Sequence, residues 1–181
     1  MARALDAYLV ACARDGDRSA FEQLARRWSR KLAAHAWRLT GQPEMAADAA
    51  QAAWVEIARG LPKLKDEEAF AAWAYRIVSR QCARRIGTVR RDRALANELA
   101  AQPEPPPTGP ADDTEGLRLR AAMRALPAAQ RAAVALFHFE DMSVAEVAVA
   151  LDVPAGTVKT RLMHARRSLR AVLEGDDDAR L

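Results

Sequence analysis

Aromatic residues make up only 6% of this sequence, and valine and isoleucine never gather into alternating runs, so nothing in it asks for a β-sheet. Cysteine is scarcer still. Cys12 and Cys82 fall at unrelated places in helical patterns, and without a CxxC or Cys/His spacing they support neither a disulfide framework nor a zinc site. No segment approaches the roughly 18 consecutive apolar residues that a membrane span needs. The N-terminal MARALDAYLVACARDGD carries acids and arginines where a secretory signal requires an unbroken apolar stretch. A cytoplasmic protein without membrane insertion is expected. The three histidines, His35, His138 and His164, are scattered, and no Ser/His/Asp set, glycine-rich phosphate loop or carboxylate pair stands out. The sequence therefore predicts no enzyme, no cofactor, no bound metal and no small-molecule substrate.

What is present points to helices. Half of the 181 residues are hydrophobic and alanine supplies much of that half, a composition that favours an all-α fold. The net charge of +4, with a pI near 9.5, makes a polyanionic partner more probable without naming one. Residues 101–113, AQPEPPPTGPADD, crowd proline together and stop every apolar period, as a semi-extended linker does. The expected organisation is a helical domain over 1–96, a linker over 97–113, a second helical domain over 114–175 and an acidic tail over 176–181. The linker's composition leaves the relative placement of the domains open, from splayed to closed on each other.

In the first half a lid helix spans 4–13. Asp17 and Ser19 then offer alternative N-caps for a long helix with Phe21, Leu24, Trp28, Leu32 and Leu39 at helical spacing, stopped by Thr40-Gly41 and Pro43. A second amphipathic helix is expected over 44–59, ending at Gly60-Leu61-Pro62. A third begins at Asp66, buries Phe70, Trp73 and Ile77, and loses its period near Thr88. In the second half, Thr114 caps a helix and Leu126-Pro127 starts another. Ser143 with Glu146 forms a capping-box pattern for a short helix, and Asp152-Val153-Pro154 turns the chain into a last helix over 156–173. Short helix, tight turn and long helix make a helix-turn-helix.

The last helix carries Lys159, Arg161, Arg166, Arg167 and Arg170 with no acid among them, while Val158, Leu162, Ala165 and Leu169 supply a buried stripe. The start of such a helix reaches base edges in a major groove and the longer cations further along reach phosphates. Thr157, Lys159, Thr160, Met163 and His164 are thus candidates for bases, and Arg161, Arg166 and Arg167 for phosphates. A second concentration of cations, Arg76, Arg80, Arg84, Arg85, Arg90, Arg91 and Arg93, follows Trp73 and Tyr75 on the third helix. Rings beside cations suit unpaired bases, since stacking contributes about 1–3 kcal/mol per base. The spacing of Trp73 with Phe70 and Ile77 favours core packing instead, and for Tyr75 the two readings are balanced.

Taken together, DGDRSAFEQLARRW, AADAAQAAWVEI, AFAAWAYRIVSR and LPAAQRAAVALFHFEDMSVAEVAVALDVPAGTVKTRLMHARRSLR resemble the extracytoplasmic-function (ECF) sigma factors, in order and across both halves. The most specific stretch combines Leu126-Pro127, Gln130-Arg131, Asp141-Met142-Ser143, Glu146-Val147-Ala148 and Pro154-x-Gly156-Thr157-Val158-Lys159. The resemblance implies a two-domain subunit of RNA polymerase that binds the core enzyme at its clamp and flap, recognises promoter DNA, and pairs with an anti-sigma factor. It assigns core binding to the helix with Asp48, Gln51, Trp54 and Glu56. It assigns the minus-10 element to the loop carrying Lys63 and Lys65, which in the family receives a flipped-out base, and to Trp73, Arg76, Arg80 and Arg84 on the helix that follows. The minus-35 element falls to Lys159, Thr160, Arg161, Met163 and His164.

The sequence departs from the family pattern where Ala47 and Ala52 replace acids beside Gln51, where Arg80 replaces a common asparagine, and at His164, often a cation. Two other functions fit parts of the sequence: a stand-alone helix-turn-helix regulator, which needs a dimer to span half-sites, and a sigma-like mimic that captures an anti-sigma factor.

Overall fold

The computed structural model describes residues 2–99 and 114–174; of the linker expected over 97–113, residues 97–99 belong to the last turn of a helix and the rest lies outside the described residues, as does the acidic tail. The described residues form eight α-helices with two short irregular turns of helix, and no strand. Four helices belong to the first half: α1 (Ala2–Arg14), α2 (Arg18–Thr40), α3 (Pro43–Gly60) and α4 (Phe70–Leu99). Four belong to the second: α5 (Thr114–Ala125), α6 (Ala128–Val134), α7 (Val144–Leu151) and α8 (Ala155–Glu174).

Local signals set most of the boundaries. Asp17 is the N-cap of α2, its carboxylate accepting from the N–H groups of Ser19 (2.8 Å) and Ala20 (3.1 Å). Gly41 ends the same helix in the left-handed conformation, φ 69°, with its N–H on Trp37 O. Proline opens α3, where its missing N–H costs nothing. Leu24, Trp28, Leu32, Ala36 and Leu39 line the inner face of α2 and pack on Ala49, Ala53 and Ile57 of α3 and on Phe70, Ala74, Ile77 and Val78 of α4. Alanine on the buried stripe of α3 lets the helix axes come close. Gly60 does the same for a ring, since a Cβ there would stand 2.8 Å from Cζ2 of Trp73.

Two boundaries differ from expectation. The helix predicted from Asp66 begins at Phe70, because residues 66–69 close tight turns in which Ala69 N–H bonds Asp66 O and the Asp66 carboxylate takes Glu68 N–H. The same helix continues to Leu99, well past Thr88 where its apolar period fades.

In the second half Pro127 stands just before α6, and α6 widens into a π-helical turn over Ala135–Phe139. Ser143 and Glu146 form the expected capping box: Ser143 Oγ accepts from Glu146 N–H (3.3 Å) and the Glu146 carboxylate accepts from Ser143 N–H (2.7 Å). Asp152, left-handed at φ 55°, closes α7 and starts the turn into α8. Val147, Ala150, Val158, Leu162 and Ala165 form the core of this helix-turn-helix. The two halves are closed on each other, with α7 against α4 and with α6 and its π turn against α2. No described helix is long and apolar enough to cross a membrane.

Candidate nucleic-acid interface

The outer face of α8 takes its shape from the cap and turn before it. With Val158, Leu162 and Ala165 buried, the helical period leaves Lys159, Thr160, Met163, His164, Arg166 and Arg167 exposed, and Met163 is 58% exposed, a high value for an apolar side chain. Thr157 and Arg161 are half-buried at its edge. The Thr160 hydroxyl donates back to Gly156 O (3.0 Å), one turn earlier in the helix. The residues predicted for bases and those predicted for phosphates thus share one surface, Arg161 alone leaning to the side that faces the first half.

The second cationic region is arranged differently. Lys63 and Lys65 are exposed on a loop that α1 pins in place: Arg14 donates to Leu64 O (3.1 Å) and pairs with Glu67 (2.6 Å). Trp73 is half-buried, packed on Phe70 with ring centroids 6.1 Å apart and over Gly60, in keeping with its core spacing. Tyr75 is buried against Trp28 and His35, and its hydroxyl donates to the Glu140 carboxylate. Burial, then that hydrogen bond, raise the Tyr75 hydroxyl far above its ordinary pKa, so it stays protonated as a donor. Arg84 is exposed. Arg80 pairs with Glu56 on α3, whose second oxygen accepts from Gln81 (3.0 Å), and Arg76 pairs with Asp152 of the second half (2.7 Å). Arg76, Arg80 and Arg161 line one cleft of about 470 Å³ between the halves, floored by Leu39, Ala83, Ile86 and Ala132.

On α3, Asp48 and Gln51 stand exposed with Val55, and Asp48 borders the α4 cations: Arg85 donates to its carbonyl oxygen (2.9 Å), and Arg84 lines the same depression. Trp54 instead packs edge-on against Phe21 at 6.1 Å, and Glu56 is held by α4 as described. The four residues predicted for one protein contact therefore split into an outward pair and a pair engaged within the first half. Sequence reasoning missed Arg38 and Glu140 and read Asp152 only as a turn residue, because the partners of all three are distant in the chain.

Among the described residues no group of His, Cys, Asp and Glu is placed to hold a metal ion. Cys82 is buried with its thiol pushed up to about 12 by burial, with Arg85 acting the other way, so it is chemically quiet.

Residues 24–92 match the family model for sigma-70 region 2 and residues 116–169 that for sigma-70 region 4. The sequence is 34% identical over 168 residues to the ECF RNA polymerase sigma factor SigM of Mycobacterium tuberculosis H37Rv, covering 93% of this chain and 84% of that one. To the ECF RNA polymerase sigma-E factor of Escherichia coli K12 it is 27% identical over 189 residues, with 91% and 92% covered. The fold is similar to that of CnrH in complex with the cytosolic domain of CnrY, at a TM-score of 0.70 and 25% identity over 95% of this chain and 99% of that one. It also resembles the sigma factor RpoE bound to the anti-sigma factor NepR from Bartonella quintana, at a TM-score of 0.71 and 22% identity over 85% and 96% of the two chains.

Proposed function

This chain belongs to the ECF sigma factors, which direct promoter-specific transcription initiation, and from that membership we propose that its halves read the two promoter elements separately. The observation that carries the minus-35 assignment is α8: a helix set by a capping box and a left-handed turn, with an acid-free outer face of Lys159, Thr160, Met163, His164, Arg166 and Arg167. Such a helix fits a major groove, with Lys159, Thr160, Met163 and His164 towards base edges and Arg161, Arg166 and Arg167 towards phosphates. The minus-10 element falls to the loop with Lys63 and Lys65 and to Trp73, Arg76, Arg80 and Arg84. There an extruded base is exchanged for stacking and phosphate contacts and no nucleotide is hydrolysed. Core polymerase is bound through the open face of α3 with Asp48 and Gln51. The protein acts by binding alone, in the cytoplasm with the polymerase, and an anti-sigma factor is its regulator, as the complexes of its structural neighbours suggest.

The division of labour on α8 is tested with polymerase on promoter fragments. Arg166→Ala weakens binding to all sequences alike and lowers the salt slope by about one, whereas Lys159→Ala loses about 1–3 kcal/mol of preference at particular minus-35 positions. Equal loss of sequence preference in both variants would contradict the assignment.

A further inference from the structure

Beside the C-terminal end of α2 lies a cavity of about 260 Å³ lined by residues that the promoter and polymerase assignments leave unused. Its apolar lining is Trp37 from α2, Leu119 and Met123 from α5, and Phe139 from the π turn. Leu119 and Phe139 are exposed, so part of this lining meets water. Three guanidinium groups, those of Arg38, Arg120 and Arg124, line it too, and no acid does among the described residues.

Arg38 is already answered, by Glu140 at 2.5 Å. Arg120 and Arg124 are exposed one turn apart on α5 and have no ion pair among the described residues. Arg120 lies over the Trp37 ring, 6.0 Å from its centre, and Arg38 over that of Phe139 at 4.5 Å. Arg124 runs past Gly41, where an added Cβ would stand 3.5 Å from its Nε. The C-terminal dipole of α2 amounts to about half a negative charge, so it offsets one guanidinium only in part. Cations at i and i+4 repel each other, and an anion seated between them relieves that repulsion.

Charge and shape together define what fits. An inorganic anion would use the arginines and leave the rings idle, and a neutral hydrocarbon would do the reverse. A planar aromatic carboxylate uses both, since its oxygens accept paired N–H bonds from a guanidinium and its ring packs on flat groups. At about 30 Å³ per liquid water, the cavity holds the space of roughly nine waters, room for a body of one or two rings.

We propose that this cavity is a binding site for a small planar aromatic carboxylate, with its ring among Trp37, Leu119 and Phe139 and its carboxylate on Arg120 and Arg124. None of these residues is assigned to promoter or polymerase, so the inference goes beyond the sigma-factor reading and stands without it.

The test titrates the full chain with naphthoate and follows the indole N–H resonances of its four tryptophans, the Trp37 signal being identified by its loss in Trp37→Phe. A saturable shift of the Trp37 signal is expected, with a Kd of about 1 mM or tighter for a ligand of this size. Arg120→Gln/Arg124→Gln, which alters only exposed side chains, is expected to weaken binding about tenfold, and naphthalene methanol, the uncharged counterpart, to bind the natural chain about tenfold more weakly than naphthoate. Leu119→Trp, which fills the cavity and keeps both arginines, is expected to abolish binding. No saturable shift at Trp37 up to about 5 mM probe overturns the proposal, as does equal affinity in the natural chain and the arginine variant, or an uncharged probe that binds as tightly as the acid. Initiation with core polymerase, measured in parallel on the natural chain, judges the sigma-factor reading separately: its failure would sink that reading and leave the titration to decide the cavity.

Discussion

His35 sits fully buried in the middle of the first half, its Nε2 3.0 Å from Ser79 Oγ and its ring 5.1 Å from that of Tyr75. Burial, helped by the Arg38 charge, lowers its pKa from 6.5 to about 3. The unfolded chain therefore binds a proton that the folded chain refuses. The stability contributed by keeping His35 neutral is complete above about pH 6.5 and is lost as the pH falls towards 3. Between pH 7 and pH 5 this single group removes about 2 kcal/mol, and urea unfolding of the natural chain is expected to show that decline while His35→Gln shows a flatter one. Parallel profiles would mean that His35 is protonated in the fold. Glu146 behaves differently. Burial works to raise its pKa, but hydrogen bonds from Ser143 and the Arg3 charge outweigh it, so its carboxylate is held ionised below the usual range. At this scale the sequence was readable where neighbours are local. Trp73 could be assigned to the core from its spacing with Phe70 and Ile77, but Tyr75 stayed balanced because its neighbours, Trp28 and His35 on α2 and Glu140 on its hydroxyl, are distant in the chain.

Elements are specified by short-range signals, which is why most of them were legible. Asp17, Gly41 and the Ser143–Glu146 box act within one turn and appear in the structure as the sequence indicates. Asp66 looks like a cap for the same chemical reason but spends its carboxylate on Glu68 N–H in a turn, and the helix waits until Phe70. The end of α4 was illegible in another way. The helix continues past Thr88 on residues without an apolar period, which leaves nothing for a pattern argument to follow. The π turn over Ala135–Phe139 has no signature at all, yet it matters: it sets Phe139 under the Arg38 guanidinium, 4.5 Å from the ring centre, and directs Glu140 at Tyr75. The capping box carries a direct expectation. Ser143→Ala removes the acceptor for Glu146 N–H and should cost about 1 kcal/mol, lowering the melting temperature by about 2–4 °C, as differential scanning calorimetry would register. An unchanged melting temperature would show that α7 is held by its packing on α4 and not by its cap.

For the whole molecule, charge and connectivity decide what the helices can do. Cations concentrate on α8 and α4, and α2 adds Arg18, Arg26, Arg27, Arg30, Lys31 and Arg38 against Glu22 alone; on α4, Arg76 is answered by Asp152 and Arg80 by Glu56. Two helical units were legible because periodicity stops at the proline-rich stretch. Their closure was not, since contacts between units depend on pairs such as Arg76 and Asp152 that no local pattern relates.

The most direct measurement is initiation by purified bacterial core polymerase on a pool of random promoter fragments, with and without this protein, and with Asp48→Ala/Gln51→Ala alongside. Promoter-specific initiation that depends on the added protein, from fragments sharing two spaced elements, and reduced in the α3 variant, is the expected result. Core enzyme that gains no initiation, with this protein binding duplex DNA by itself as a dimer, would contradict it.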